Sequence, residues 1–407
     1  NDTIDIAASA TPYLEPSFLM PSGEQIIGAG SGGDLVTFTG IAPVPGSAFP
    51  TLGGSAPTLR LPSFFTSGCA LILLSNNNAL RGLDLGTQFE CTLISGNAFG
   101  TLTVGELTLN TNGPALNLSN GTLNGNFVDI DTTQVFLEGM VLDTVGGNWS
   151  VTGQIGINAP LDALVITNSP GGSVTFSGGI QTAGRGRISL NGNAAAINLG
   201  VVQVSAGSGA PSALTVANSS GLVTITGGTI SANGGMALDL RNAAANITLA
   251  SASSINSASQ GIRLSNVTGS VNVSGGLIRD PFNQAFFADG TLGTISYGGS
   301  MRKVSDGQMV EIAAGTGGNI TLSGNMDCLM NCSRVANAAI GVDGRSASSI
   351  TLSGASKIIN PGIGISASNA LVQVTNNPGS TISFSGNTVL GDDVDWVPAV
   401  GFRFSGG

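Results

Sequence analysis

Histidine is absent from this 407-residue chain, and charge of either sign is scarce, with 13 Lys and Arg against 23 Asp and Glu. Without histidine there is no imidazole general base, no Ser-His-Asp triad and no His-ligated zinc site. Thirteen basic residues on a chain of net charge −10 do not supply the basic surface that nucleic-acid binding needs. No apolar run approaches the roughly 18–20 residues of a membrane helix, so no membrane span is expected. The low charge does not mean disorder, because 41% hydrophobic residues are enough to build a core. What the chain has in excess is glycine, 62 residues of it.

Four cysteines fall into two local pairs: Cys69 with Cys91, 22 residues apart, and Cys328 with Cys332, four apart. An even count in a lysine-poor chain fits an oxidising compartment and two disulfides. The rival is a zinc site, which needs all four thiolates together, and neither pair has CxxC spacing. The chain opens Asn1-Asp2-Thr3, with no initiator Met and no basic-then-apolar leader. It is read here as a mature exported chain, extracellular or at the cell surface, whose signal has been removed.

The strongest pattern is internal repetition. Apolar–x–apolar triplets begin at Leu164, Ile188, Leu214, Leu238, Ile262, Phe286 and Val310, in steps of 24, 26, 24, 24, 24 and 24. A second series trails by about ten residues and begins at Val174, Ile197, Val223, Ile247, Val271, Ile295 and Ile320. A third apolar position follows at Ile180, Val202, Ile230, Ile255, Ile278, Met301 and Met326. Later repeats stretch, as between Ile350 and Ile382. Alternation of period two means short strands with one buried face. Three strands per ~24 residues with no helical pattern between them leave no room for βαβ units. The predicted fold is all-β: a single-stranded right-handed parallel β-helix, or solenoid, with about 24 residues and three short strands per coil. Gly178-Gly179, Gly227-Gly228 and Gly275-Gly276 mark the corners, where positive φ is required. Residues 1–34 break the pattern and are expected to form an N-terminal arm or cap. Residues 35–391 form the solenoid and 392–407 a C-terminal cap or tail.

The string from Leu74 to Leu85, with the 24-residue triplet repeat, resembles right-handed parallel β-helix proteins exported by bacteria, such as autotransporter passengers and filamentous-haemagglutinin-like adhesins. The resemblance implies architecture, because lyases, tailspikes and adhesins share this fold.

Few residues suggest chemistry. Asp392, Asp393 and Asp395 form the densest acidic cluster, a weak calcium candidate or a solvated turn. Asp129 and Asp131 flank Ile130 and face outward, with paired glycosidase carboxylates as the sharper reading and surface charge as the plainer one. Gly28, Gly30 and Gly33 match GxGxxG, but Asp34–Phe38 reads as a strand, which leaves a phosphate no helix N-terminus. The middle residues of the second triplets are small and uncharged: Thr175, Asn198, Thr224, Thr248, Asn272, Ser296, Thr321, Thr351. This ladder is open to three readings: a solvated face, a lateral packing surface, or an ice- or sugar-binding array. In the first row Asp239 and Arg263 are one coil apart and placed to pair as an exposed ion pair, and Phe287 stands outward.

These features point to a secreted, non-enzymatic structural or adhesive surface protein. It would be a filament subunit joining head to tail through its ends, where Ile4, Ile6, Phe402 and Phe404 alternate. Two other classes stay open: a polysaccharide-degrading lyase or hydrolase, and a monomeric adhesin for glycans or a host surface. No cofactor is expected, and the expected partners are further copies of the chain or cell-surface glycans.

Overall fold

The computed structural model describes residues 2–14, 17–62, 69–87, 90–133, 138–159, 161–304, 307–329, 338–359, 370–390 and 400–406. Asp392, Asp393, Asp395 and Cys332 lie outside the described residues. The chain divides into two compact units, Asn1–Gly200 and Val201–Gly407. Each is a parallel β-solenoid, as the triplet spacing predicts, with three strand-bearing faces per coil.

In the second unit the ladder on the first face runs Leu214, Leu238, Ile262, Phe286, Val310, Ile340, Val372, Phe402, every pairing parallel. The first four steps are each the predicted 24 residues; those to Ile340 and Val372 are longer. Alternation sets what each residue meets. Leu238, Leu240, Ile262 and Leu264 are sealed inside, while Arg263 between the last two points out. Full burial of each such aliphatic side chain is worth roughly 1.5–3 kcal/mol. A single coil cannot collect this, because its inward row has no neighbour until another coil stacks on it.

The corner after the first face is made by one left-handed residue per coil: Asn218, Asn242 and Asn266, with φ of 50°, 49° and 51°. Asparagine tolerates this conformation because its short amide can bond locally. Here the amides bond along the stack instead: Asn242 Nδ2 donates to Asn218 Oδ1 at 3.0 Å, and Asn266 Nδ2 to Asn242 Oδ1 at 2.9 Å. At another corner Gly228, at φ 104°, lies over Val202, whose carbonyl oxygen fills the space a Cβ would take. On the third face the inward column is Ala232, Ser254, Ile278, Met301, Met326, Lys357. Ser254 rather than the expected Ile255 faces in, because Asn256 turns the chain directly after a short strand.

Among the described residues of this unit three cations are buried: Lys303, Arg345 and Lys357. Lys303 Nζ donates to the carbonyls of Pro281 and Asn283 at 2.5 and 2.7 Å. Lys357 Nζ donates to Gly354 O at 2.7 Å and to Ser385 O. Arg345 donates to the carbonyls of Thr291, Ala314 and Gly317 at 2.6–2.8 Å. Backbone carbonyls thus take the place of water around each charge.

The first unit begins with strands inside the segment expected as arm or cap. Thr3–Ile6 pairs with Gln25–Gly28, Tyr13–Leu14 with Thr58–Arg60, and Phe18–Leu19 with Ala70–Leu73. Its second face runs Trp149, Val174, Ile197, and the Trp149 ring lies edge-on to Phe127 and Phe176, with centroids 6.2 and 5.4 Å apart. Cys69 and Cys91 sit side by side on adjacent coils and form a disulfide, with Cα atoms 4.8 Å apart. Cys328 is buried and disulfide-bonded.

Inward and outward positions should respond differently to truncation. Leu240→Ala is expected to lose about 2–5 kcal/mol, and Thr321→Ala to stay within about 0.5 kcal/mol of the parent, as read from urea midpoints. Equal losses would mean the faces have been assigned wrongly.

Candidate functional site

Outward residues 24 apart in sequence become neighbours about 4.8 Å apart, so the ladders decide which groups meet. On the first face of the second unit the outward row is Asp239, Arg263, Phe287, Glu311, Gly341, Gln373, Arg403. Arg263 grips Asp239 through two bonds of 2.7 Å, and Arg241 adds a third contact at 3.2 Å. The pairing matches the spacing, but the expectation of an exposed pair does not hold, since Asp239 is only 4% exposed. Phe287 is half-buried beside Arg263.

Along the edge of this row runs a chain of amides. Ser259 Oγ donates to Gln260 at 2.6 Å, Gln260 Nε2 to Gln284 Oε1 at 3.3 Å, and Gln284 Nε2 to Glu311 Oε2 at 2.5 Å. Burial pushes the Glu311 carboxyl up from its ordinary 4.5; the Gln284 bond opposes this and the Asp289 charge adds to it. Sequence reading missed this chain. The steps of 24 from Gln260 to Gln284 to Gln308 were available as a signal, but Glu311 stands 27 residues after Gln284, outside that column.

On the second face of this unit Thr248, Asn272, Ser296, Thr321, Thr351 and Ser383 are successive ladder neighbours. A parallel column runs Asn246, Ser270, Thr294, Asn319, Ser349, Thr381. Some rungs bond to one another: Ser296 Oγ donates to Asn272 Oδ1 at 3.1 Å, and Ser270 Oγ to Asn246 Oδ1 at 3.2 Å. Thr224 is registered with Asn246 rather than Thr248, because an irregularity between Ser219 and Val223 shifts the strand. In the first unit the corresponding row is Asn126, Ser150, Thr175, Asn198.

Asp129 and Asp131 stand half-buried on either side of sealed Ile130 in the first unit. Their ladder neighbours on the preceding coil are Thr108 and Asn110, and Gly156 follows Asp131. Burial and the Asp131 charge raise the Asp129 carboxyl, partly offset by the Ile130 N–H. Gly28 and Gly30 serve packing: side chains there would strike Leu83 and Ala56. The strand expected over Asp34–Phe38 is instead the short helix Leu35–Thr39. Asp34 caps it by accepting from Thr37 N at 2.7 Å, and Gly40 closes it at φ 69°. Five residues carry too small a dipole to hold a phosphate. Phe38 of this helix lies 4.8 Å beneath the Arg81 guanidinium, beside a groove of about 670 Å³ lined by Gln25, Asn77, Thr101 and Thr103.

At the chain ends, Thr3–Ile6 has Gln25–Gly28 as its one ladder partner among the described residues, and Val400–Ser405 has Ala370–Thr375. Ile6 is buried. Phe402 and Phe404, in register with inward Val372 and Val374, are 38% and 66% exposed. Their rings stack at 6.0 Å. Among the described residues no group of three or more Asp, Glu, Cys or His could hold a metal, and no helix is long and apolar enough to cross a membrane. The chain matches no protein-family model, no curated protein and no solved structure.

Glu311 has a sign-definite effect on stability. Its pKa in the folded chain lies above that in the unfolded chain. The stability tied to the group is therefore fully present below pH 4.5 and is lost as pH rises from there through the folded value. Glu311→Gln keeps an acceptor for Gln284 and removes the ionisation. It is expected to melt above the parent at pH 7 and level with it at pH 3.5. A variant that melts lower at pH 7 would contradict the burial argument.

Proposed function

We propose that this chain is an extracellular, non-enzymatic structural or adhesive protein whose copies join end to end. One observation carries the reading: the last strand, Val400–Ser405, leaves an open ladder edge among the described residues, with the inward-facing rings of Phe402 and Phe404 exposed. An open parallel edge backed by apolar side chains is a template for another strand. The first strand, Thr3–Ile6, is likewise paired on one side only among the described residues. A head-to-tail contact between different surfaces propagates without closing, which gives a filament.

Three further features support a role at the cell exterior. The Cys69–Cys91 disulfide suits an oxidising compartment. The chain has only two lysines, Lys303 and Lys357, and both are sealed inside, out of reach of lysine-directed proteases. The solenoid is the architecture of exported bacterial β-helix proteins, which the repeat resembles. In this role the work is mechanical: stacked coils resist extension through backbone bonds along the axis, and the outward faces meet other surfaces.

Electron microscopy and sedimentation of the purified chain test the reading. The parent is expected to form filaments, and Phe402→Asp with Phe404→Asp together to leave monomers with little change in melting temperature. A parent that stays monomeric at high concentration, or filaments indifferent to both substitutions, would refute assembly through this edge.

A further inference from the structure

The amide chain on the first face of the second unit ends at a notch. Phe287, Glu311, Gly341 and Gln373 are consecutive outward ladder neighbours. Gly341 lacks the side chain that would fill the row at its place. Around this position lies a cavity of about 210 Å³, lined by Gln308, Glu311, Gly341, Asp343 and Gln373 among others. At about 30 Å³ per water this is room for about seven waters, the size of one sugar ring.

The polar groups around the notch are incompletely used. Gln308 is only 9% exposed, yet its amide makes no hydrogen bond among the described residues. Its Nε2 stands over Gly341, in the space a Cβ there would need. An amide that lines the notch and has no protein partner among the described residues can exchange hydrogen bonds with a ligand there. Glu311 accepts from Gln284 through Oε2 and lines the notch. Asp343 accepts from Thr375 Oγ1 at 2.5 Å and Asn376 Nδ2 at 3.2 Å, both through Oδ1, so its second oxygen is free.

The donor and acceptor balance selects the ligand class. Two carboxylates offer only acceptors, while two amides offer both donors and acceptors. An anion would meet the carboxylates. A hard cation wants six or more oxygens and would leave the amide N–H groups unused. Neighbouring hydroxyls donate and accept at once, and a carboxylate takes two of them as charge-assisted bonds.

We propose that this notch binds one neutral pyranose unit of a glycan, held by Gln308, Glu311, Asp343 and Gln373. The proposal is independent of end-to-end assembly, since a monomer carries the whole site. Saturation-transfer NMR on the full chain with glucose, galactose, mannose and N-acetylglucosamine at millimolar concentration tests it. At least one sugar is expected to bind saturably, at least tenfold more weakly in Glu311→Gln and in Gln308→Leu, and unchanged in Thr351→Ala on the second face. Glu311→Gln keeps shape and fold, so its loss reads the site rather than unfolding. Three results would overturn the proposal: no saturable binding of any of the four sugars, binding unchanged in Glu311→Gln, or binding abolished by EDTA, which would make the carboxylates a cation site.

Discussion

Each coil is held by the one beside it, through the in-register parallel ladder. About two dozen residues that turn three corners bury no apolar row and satisfy few backbone groups by themselves. Stacked on a neighbour, every inward triplet gains a partner row and each strand N–H a carbonyl, as along Leu238, Ile262 and Phe286. Corner chemistry serves this register. The asparagines at 218, 242 and 266 place one left-handed residue per coil at the same height and link their amides along the stack. A slip of one residue would turn every aliphatic of a strand outward at once.

The same constraint organises the polar groups. Outward chemistry is shared between coils, so Asp239 finds Arg263, and Gln260, Gln284 and Glu311 pass hydrogen bonds from coil to coil. Inside, an occasional long cation is tolerated where corner carbonyls surround it, as at Lys303 and Arg345. Removing a stack neighbour exposes both kinds of surface; Phe402 and Phe404, on a strand with one ladder partner among the described residues, are exposed.

Sequence reveals most of this architecture because period-two alternation fixes which side chains face in, and a fixed step fixes which coils touch. Leu164, Leu214, Ile262 and Ile320 are all sealed, and Cys69 meets Cys91 across one coil. Legibility fails where the local rule changes. Ile255 was misplaced by one residue because its strand is short and ends at a left-handed asparagine. Thr224 lost its register to an irregularity invisible in composition. The helix at Leu35–Thr39 rests on one cap bond to Asp34 rather than on periodicity. The notch at Gly341 joins residues from coils spaced 30 and 32 apart, where the 24-residue template no longer predicts neighbours.

The register can be read directly by paired cysteines on an outward row. Asn272→Cys with Ser296→Cys places two thiols on adjacent coils, where directly opposed Cβ atoms lie about 5 Å apart. Asn272→Cys with Thr321→Cys places them two coils apart, about 10 Å. Under mild oxidation the first pair should close rapidly to a disulfide and the second should stay reduced within the chain. Equal closure of both pairs, or closure of the second alone, would contradict the stacked-coil register.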